Sequence, residues 1–97
     1  MATERVTFQT RFDYVELNVD EAREFSRRAS ETSGGGGLAE AIEAGIQSGG
    51  PVVIHDDHNP TALHILTTWI EDVGDDAVSS ELRQLQDTLA IDEEIDR

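Results

Sequence analysis

The 97-residue sequence contains no cysteine and no lysine, and only 5% of it is aromatic. Without cysteine there is no disulfide framework, no thiolate chemistry and no cysteine-based zinc site. No apolar run approaches the roughly 20 residues of a membrane helix, which excludes a hydrophobic span. The opening Met1-Ala2-Thr3-Glu4-Arg5 lacks the apolar core of a secretory leader, so the expectation is a cytoplasmic chain with no membrane partner. The length admits one domain and excludes a two-domain enzyme with its own cofactor fold.

What is present is acid. Twenty-one Asp and Glu stand against seven basic residues, all arginine, for a net charge of −14. In composition this resembles proteins of haloarchaea and other organisms that hold molar potassium inside the cell. At such salt the Debye length is about 3 Å. Repulsion among surface carboxylates is then nearly erased, while the carboxylates keep water and cations at the surface. An acidic mimic of nucleic acid or a calcium-loaded surface would also explain the charge. The acids are spread through the last two-thirds of the chain rather than gathered in one tract, which favours salt adaptation. Residues 1–33 carry seven acids and five arginines, a net of −2, and residues 34–97 carry fourteen acids and two arginines, a net of −12. The nearly neutral first third is a pointer to a contact surface, or to elements packed centrally with little surface to charge.

Along the chain, Val6, Phe8, Thr10, Phe12 and Tyr14 alternate with polar residues at the period of a half-buried strand, and the apolar phase then moves to Val15, Leu17 and Val19. The slip predicts a bent strand or a close hairpin over residues 5–17. Asn18 followed by Glu21 has capping-box spacing and predicts a helix over 19–31, with Ala22, Phe25 and Ala29 inward. Ser33 to Gly37 reads as a mobile connector. Leu38, Ala41, Ile42, Gly45 and Ile46 predict a helix over 38–48 that ends at Gly49 or Gly50. Val52 to Ile54 predicts a buried strand within 51–55. Asn59 as cap and Pro60 at the first helical position predict a helix over 60–73, with Ala62, Leu63, Leu66, Trp69, Ile70 and Val73 on one face. Val78, Leu82, Leu85 and Leu89 form a narrow seam on a last helix, 77–90. Residues 91–97 put acids at the unfavourable end of the helix dipole and are expected to fray. The fold class expected is α+β: one compact domain over 1–90, with a two- or three-stranded sheet covered by about four helices. So small a sheet buries itself poorly, and the strand edge within 5–17 is a place where a second chain would complete it.

The one chemically suggestive cluster is His55-Asp56-Asp57-His58 with His64 beyond it. His55, Asp57, His58 and His64 are the residues that would ligate a divalent metal, with hydrolysis as the activity such a site would suit, since imidazole and carboxylate groups on a turn and a following helix can converge on one ion. The same stretch also reads without a metal: the acids complement a helix N-terminus, Asn59 caps it, and His64 faces solvent. No nucleophile elbow accompanies the histidines, and the reading is non-enzymatic. Gly34 to Gly37 lacks the lysine and preceding strand of a phosphate loop. Arg23, Arg27 and Arg28 form the only basic feature, with Glu24 and Glu31 spaced to pair with them, which argues against a nucleic-acid face. Were nucleic acid bound, Arg23 and Arg27 would be the residues to test. The function expected is therefore a small acidic interaction or accessory protein of a high-salt cytoplasm. It would be a homodimer or bind another protein, with no cofactor and with Phe8, Arg11, Arg23 and Arg27 at the contact.

Overall fold

A computed structural model gives residues 5–11, 13–49, 51–54 and 56–95. The first strand, β1 (Arg5–Gln9), pairs antiparallel with β2 (Tyr14–Asn18), Arg5 lying opposite Asn18 and Gln9 opposite Tyr14. Of the two forms open for residues 5–17, the hairpin is the one adopted. Its turn absorbs the slip in apolar phase. The Thr10 amide and hydroxyl both donate to the Asp13 carbonyl, at 2.7 and 2.9 Å, and the Asp13 amide donates back to Thr10 Oγ1. Val6, Phe8, Val15 and Leu17 face inward, and Thr10 continues their phase as a buried hydroxyl. Tyr14 does not share that face. It is 65% exposed, on the far side of the sheet. Phe12 lies outside the described residues.

Asn18 caps α1 (Val19–Glu31): its Oδ1 accepts from the Glu21 amide at 2.8 Å. The Glu21 carboxylate returns to the Asn18 side-chain amide, at 3.1 Å, instead of to the backbone N–H that a Ser or Thr box would use. The expected connector is not loose. The Gly35 amide donates to Thr32 O and the Ala39 amide to Gly35 O, so that α1 turns within four residues into α2 (Gly36–Ser48). Gly35 sits against the end of α1, where a Cβ would collide with the Ala29 carbonyl oxygen. The run of glycines therefore encodes a close approach of backbones. Gly49, with φ of 72°, ends α2 in the left-handed region.

The chain then crosses beneath the sheet to β3 (Val52–Val53), which pairs parallel with β1, Phe8 opposite Val52, and is extended by a bond from the Ile54 amide to Gln9 O. The sheet order is β2-β1-β3. Because β1 is paired on both sides, residues 5–17 do not offer one long free edge; within that stretch only β2 is an edge strand, and β3 forms the other edge of the sheet.

A single 3₁₀ turn, Asp56–His58, leads into α3 (Asn59–Val73). Asn59 is not the cap. His58 holds that position, and Asn59 is the first helical residue, buried, its side-chain amide on the Leu89 carbonyl at 3.3 Å. The inward face of α3 is also turned from expectation: Ile65 is buried, while Leu63 is half-buried and Val73 exposed. After a second 3₁₀ turn, Asp75–Ala77, α4 (Ser80–Ile95) starts with Ser79 Oγ accepting from the Leu82 amide. Leu82, Leu85 and Leu89 are buried against α3 and β2. The helix continues through most of the stretch expected to fray, and Asp92 takes the next inward position of the leucine seam.

The architecture is a three-stranded mixed sheet with four helices on one face, an α+β fold. All the buried apolar residues form one cluster between sheet and helices. No described helix is long and apolar enough to cross a membrane.

Candidate interaction surface

The spine of the core is aromatic. Phe8 of β1 stacks on Phe25 of α1 at 5.5 Å between ring centroids, and Phe25 meets Trp69 of α3 edge-on at 6.4 Å. Phe8 is fully buried in this column, so it supports the surface from beneath and presents nothing to a partner. Arg28 lies over the Trp69 ring, 5.1 Å from its centroid, and reaches Asp72 at 3.4 Å. It clips α1 to α3 by a cation–π contact and an ion pair.

Burying that side of α1 leaves its opposite side outward, with Arg23, Arg27 and Ser30. Arg27 forks onto Glu24 with bonds of 3.0 and 2.6 Å and also reaches Glu31, while Arg28 shares the Glu24 Oε2 atom at 2.6 Å. The hydrogen bond from Arg27, joined by the Arg28 guanidinium, holds the Glu24 carboxyl below its ordinary range against the opposing effect of partial burial. Glu24 in turn raises Arg27. The pairing read from sequence thus forms. Arg23, a turn away, makes no ion pair with a described residue.

Arg23 and Arg27 line one wall of a groove of about 670 Å³ whose other wall is α2, with Glu40, Glu43 and Gln47. At its floor, the buried Ser26 donates to Glu43 at 3.0 Å and also approaches the Ala39 carbonyl. Two further hollows share lining residues along this side of the molecule. Gln47 is shared with one bounded by Arg5 and Val19 at the C-terminal end of α2. Gly49 is shared with the next, on the open face of the sheet beside Thr7, Gln9 and Tyr14. Among the described residues lining these three hollows, the charged ones are three arginines (Arg5, Arg23 and Arg27) and two glutamates (Glu40 and Glu43).

Comparison of the chain with protein-family models, with curated proteins and with solved structures finds no match.

Of the residues expected at a contact, Arg23 and Arg27 come together on the groove wall. Arg11 lies apart in the hairpin turn, its backbone N–H on the Asp92 carboxylate at 3.2 Å. Of the histidine cluster, His55 lies outside the described residues, and His64 is exposed on α3. His58 packs instead against the start of α2, where a Cβ on Gly37 would lie 3.3 Å from its ring. The glycine run and the histidine turn, separate in sequence, are thus neighbours. Among the described residues no group of three or more His, Asp or Glu is arranged to hold a metal ion. Sequence reasoning missed Glu40, Gln47 and the outward Tyr14. A strict count of alternation from the Val15 and Leu17 phase would have turned Tyr14 outward. Nothing local marks Gln47, whose place depends on how α2 lies against α1.

Proposed function

We propose that this chain is a small non-enzymatic interaction or accessory protein of a high-salt cytoplasm, working as a homodimer and docking through the low-acid strip. One observation carries the reading: in a chain with 21 acids and seven arginines, the described residues lining the α1–α2 groove and the two hollows beside it include three arginines and two acids. Glu24 and Glu31, next to that surface, are already engaged by Arg27 and Arg28. A protein that covers itself in carboxylates to stay hydrated keeps them off a face that must lose its water on binding, because a buried unpaired carboxylate is costly. The serines of this region suit a lining role, Ser26 being buried beneath the groove and Ser30 turned back on its own helix. Ser26 bonds to Glu43 and the Ala39 carbonyl, and Ser30 to the Arg27 carbonyl. Light scattering coupled to size exclusion in about 2 M KCl, where charge repulsion is screened, tests the reading. The weight-average mass is expected to rise from that of the 10.7 kDa chain toward twice it as the loaded concentration increases. A chain-sized mass at every concentration would remove the homodimer and leave only a different protein as partner.

A further inference from the structure

We infer that two copies of the chain pack through their α1–α2 faces about a two-fold axis that runs along the groove. This rests on the interaction reading above and adds to it the face, the axis and the pairings.

The two walls of the groove carry opposite charge, Arg23 and Arg27 on α1 against Glu40 and Glu43 on α2. Arg23 and Glu40 have no ion pair with any described residue. The helices run antiparallel, and the bonds from Ser26 to the Ala39 carbonyl and to Glu43 fix their relative level. Arg27 therefore stands level with Glu40, and Arg23 with the stretch from Glu43 to Gln47. A two-fold axis along the groove exchanges α1 and α2 across the interface without sliding either along its length. Each copy's Arg27 then faces the other's Glu40, and each Arg23 faces the other's Glu43. Every helix also meets an antiparallel neighbour, which opposes the dipoles. An axis at right angles to the helices would lay α1 on α1 and set arginine against arginine.

The floor of the groove is made of small residues, Ser26 and Ala39, with Ser30 and Ala44 at its rims. Small side chains allow helices to approach to about 8 Å between axes. Two 13-residue helices side by side present a face about 20 Å long and roughly as wide, so two copies would cover about 800 Å² in all, below the roughly 1,200 Å² at which standard interfaces begin. The dimer is accordingly a weak one. Self-pairing at the β2 edge is poorer. Antiparallel self-pairing of β2 in full register sets Glu16 opposite its own copy, a like-charge cross-strand pair.

Arg23→Glu and Glu43→Arg test the arrangement, because the two residues face each other across the axis and neither holds an ion pair with a described residue of its own chain. Sedimentation equilibrium in about 0.2 M KCl, where contacts at ion-pair distance remain only partly screened, is the readout. Each variant alone is expected to dimerise at least tenfold more weakly, because the two-fold axis loses the pair twice at on the order of 1 kcal/mol each, and an equimolar mixture to recover the wild-type constant to within about threefold. Dimeric wild type with unaffected variants would overturn the inference while leaving the interaction reading in place. Weakened variants that do not rescue one another would overturn the axis. A wild type that stays monomeric up to about 1 mM would overturn the inference and the homodimer together, that concentration corresponding to about −4 kcal/mol of binding. Hydrogen exchange of the unsubstituted chain at low and high concentration gives the same test without relying on a variant's folding. Protection is expected to rise in α1 and α2, and a rise confined to β2 would contradict the arrangement.

Discussion

At the scale of single residues, Gly35 and Gly36 are neighbours under opposite constraints. A Cβ on Gly35 meets the Ala29 carbonyl oxygen, whereas one on Gly36 meets nothing within 4 Å. Gly35→Ala must push two helix ends apart and is expected to cost about 1–3 kcal/mol. Gly36→Ala fills an open position in the first turn of α2 and is expected to stabilise by up to about 1 kcal/mol through helix propensity. Urea unfolding of the two variants checks both signs, and equal effects would mean that the turn is loose after all. The composition of Ser33 to Gly37 signals freedom; the constraint is supplied by a carbonyl six residues upstream, which no local pattern encodes. Glu24 gives a second residue-scale expectation. Its folded-state pKa is lowered, chiefly by Arg27 and also by Arg28, from an ordinary value of 4.5. A carboxyl lowered by folding contributes stability above its unfolded pKa and loses it as pH falls through the folded value. The stability difference between wild type and Glu24→Gln should therefore be present at neutral pH and shrink on acidification below about 4.5. A difference that does not change with pH would remove the ion pairs as its cause.

Elements divide into those whose ends are written locally and those fixed by partners. The hairpin and α1 were legible because their signals are local: a period of two, a phase slip over the turn, and a side-chain amide three residues before a carboxylate. The start of α3 was not. Asn59-Pro60 carries the pattern of a cap, but Asn59 is drawn inside by the Leu89 carbonyl of α4, thirty residues on. The C-terminal turn of α4 is a similar case. Acids at a helix end oppose the dipole, yet Asp92 extends the leucine seam inward and accepts the Arg11 amide of the hairpin turn. The candidate site was half legible for the same reason. Arg23 and Arg27 stand out on α1, but the facing wall is set by the α1–α2 packing. Ending the chain after Ala90 removes the Asp92 bond and is expected to cost about 1.5–3 kcal/mol, as for other hydrogen bonds to charged groups. Chemical denaturation would measure it, and an unchanged midpoint would mean that the last turn is dispensable.

For the molecule as a whole, the α+β architecture was readable from the order of apolar periods, while the sheet topology was not. Nothing in Val52 to Ile54 says that it pairs beside β1 and parallel to it, so the assumed free edge of the first strand vanished on folding. The distribution of charge ties the account together. A net −14 on a chain of this size works against the compact state through self-repulsion, and salt relieves it. The ion pairs Arg27–Glu24 and Arg28–Glu24 respond in the opposite sense, since screening weakens them. Which effect dominates decides whether the acidity is an adaptation of the surface to salt or a feature awaiting a ligand. The most direct measurement is the thermal unfolding midpoint of the full chain across KCl from about 0.1 to 2 M, a range over which the Debye length falls from about 10 Å to under 3 Å. Relief of about 2 kcal/mol of repulsion predicts a rise of roughly 10 °C. A midpoint that stays flat or falls as KCl increases would contradict salt adaptation, and with it the reason for reading the sparsely acidic strip as the docking face.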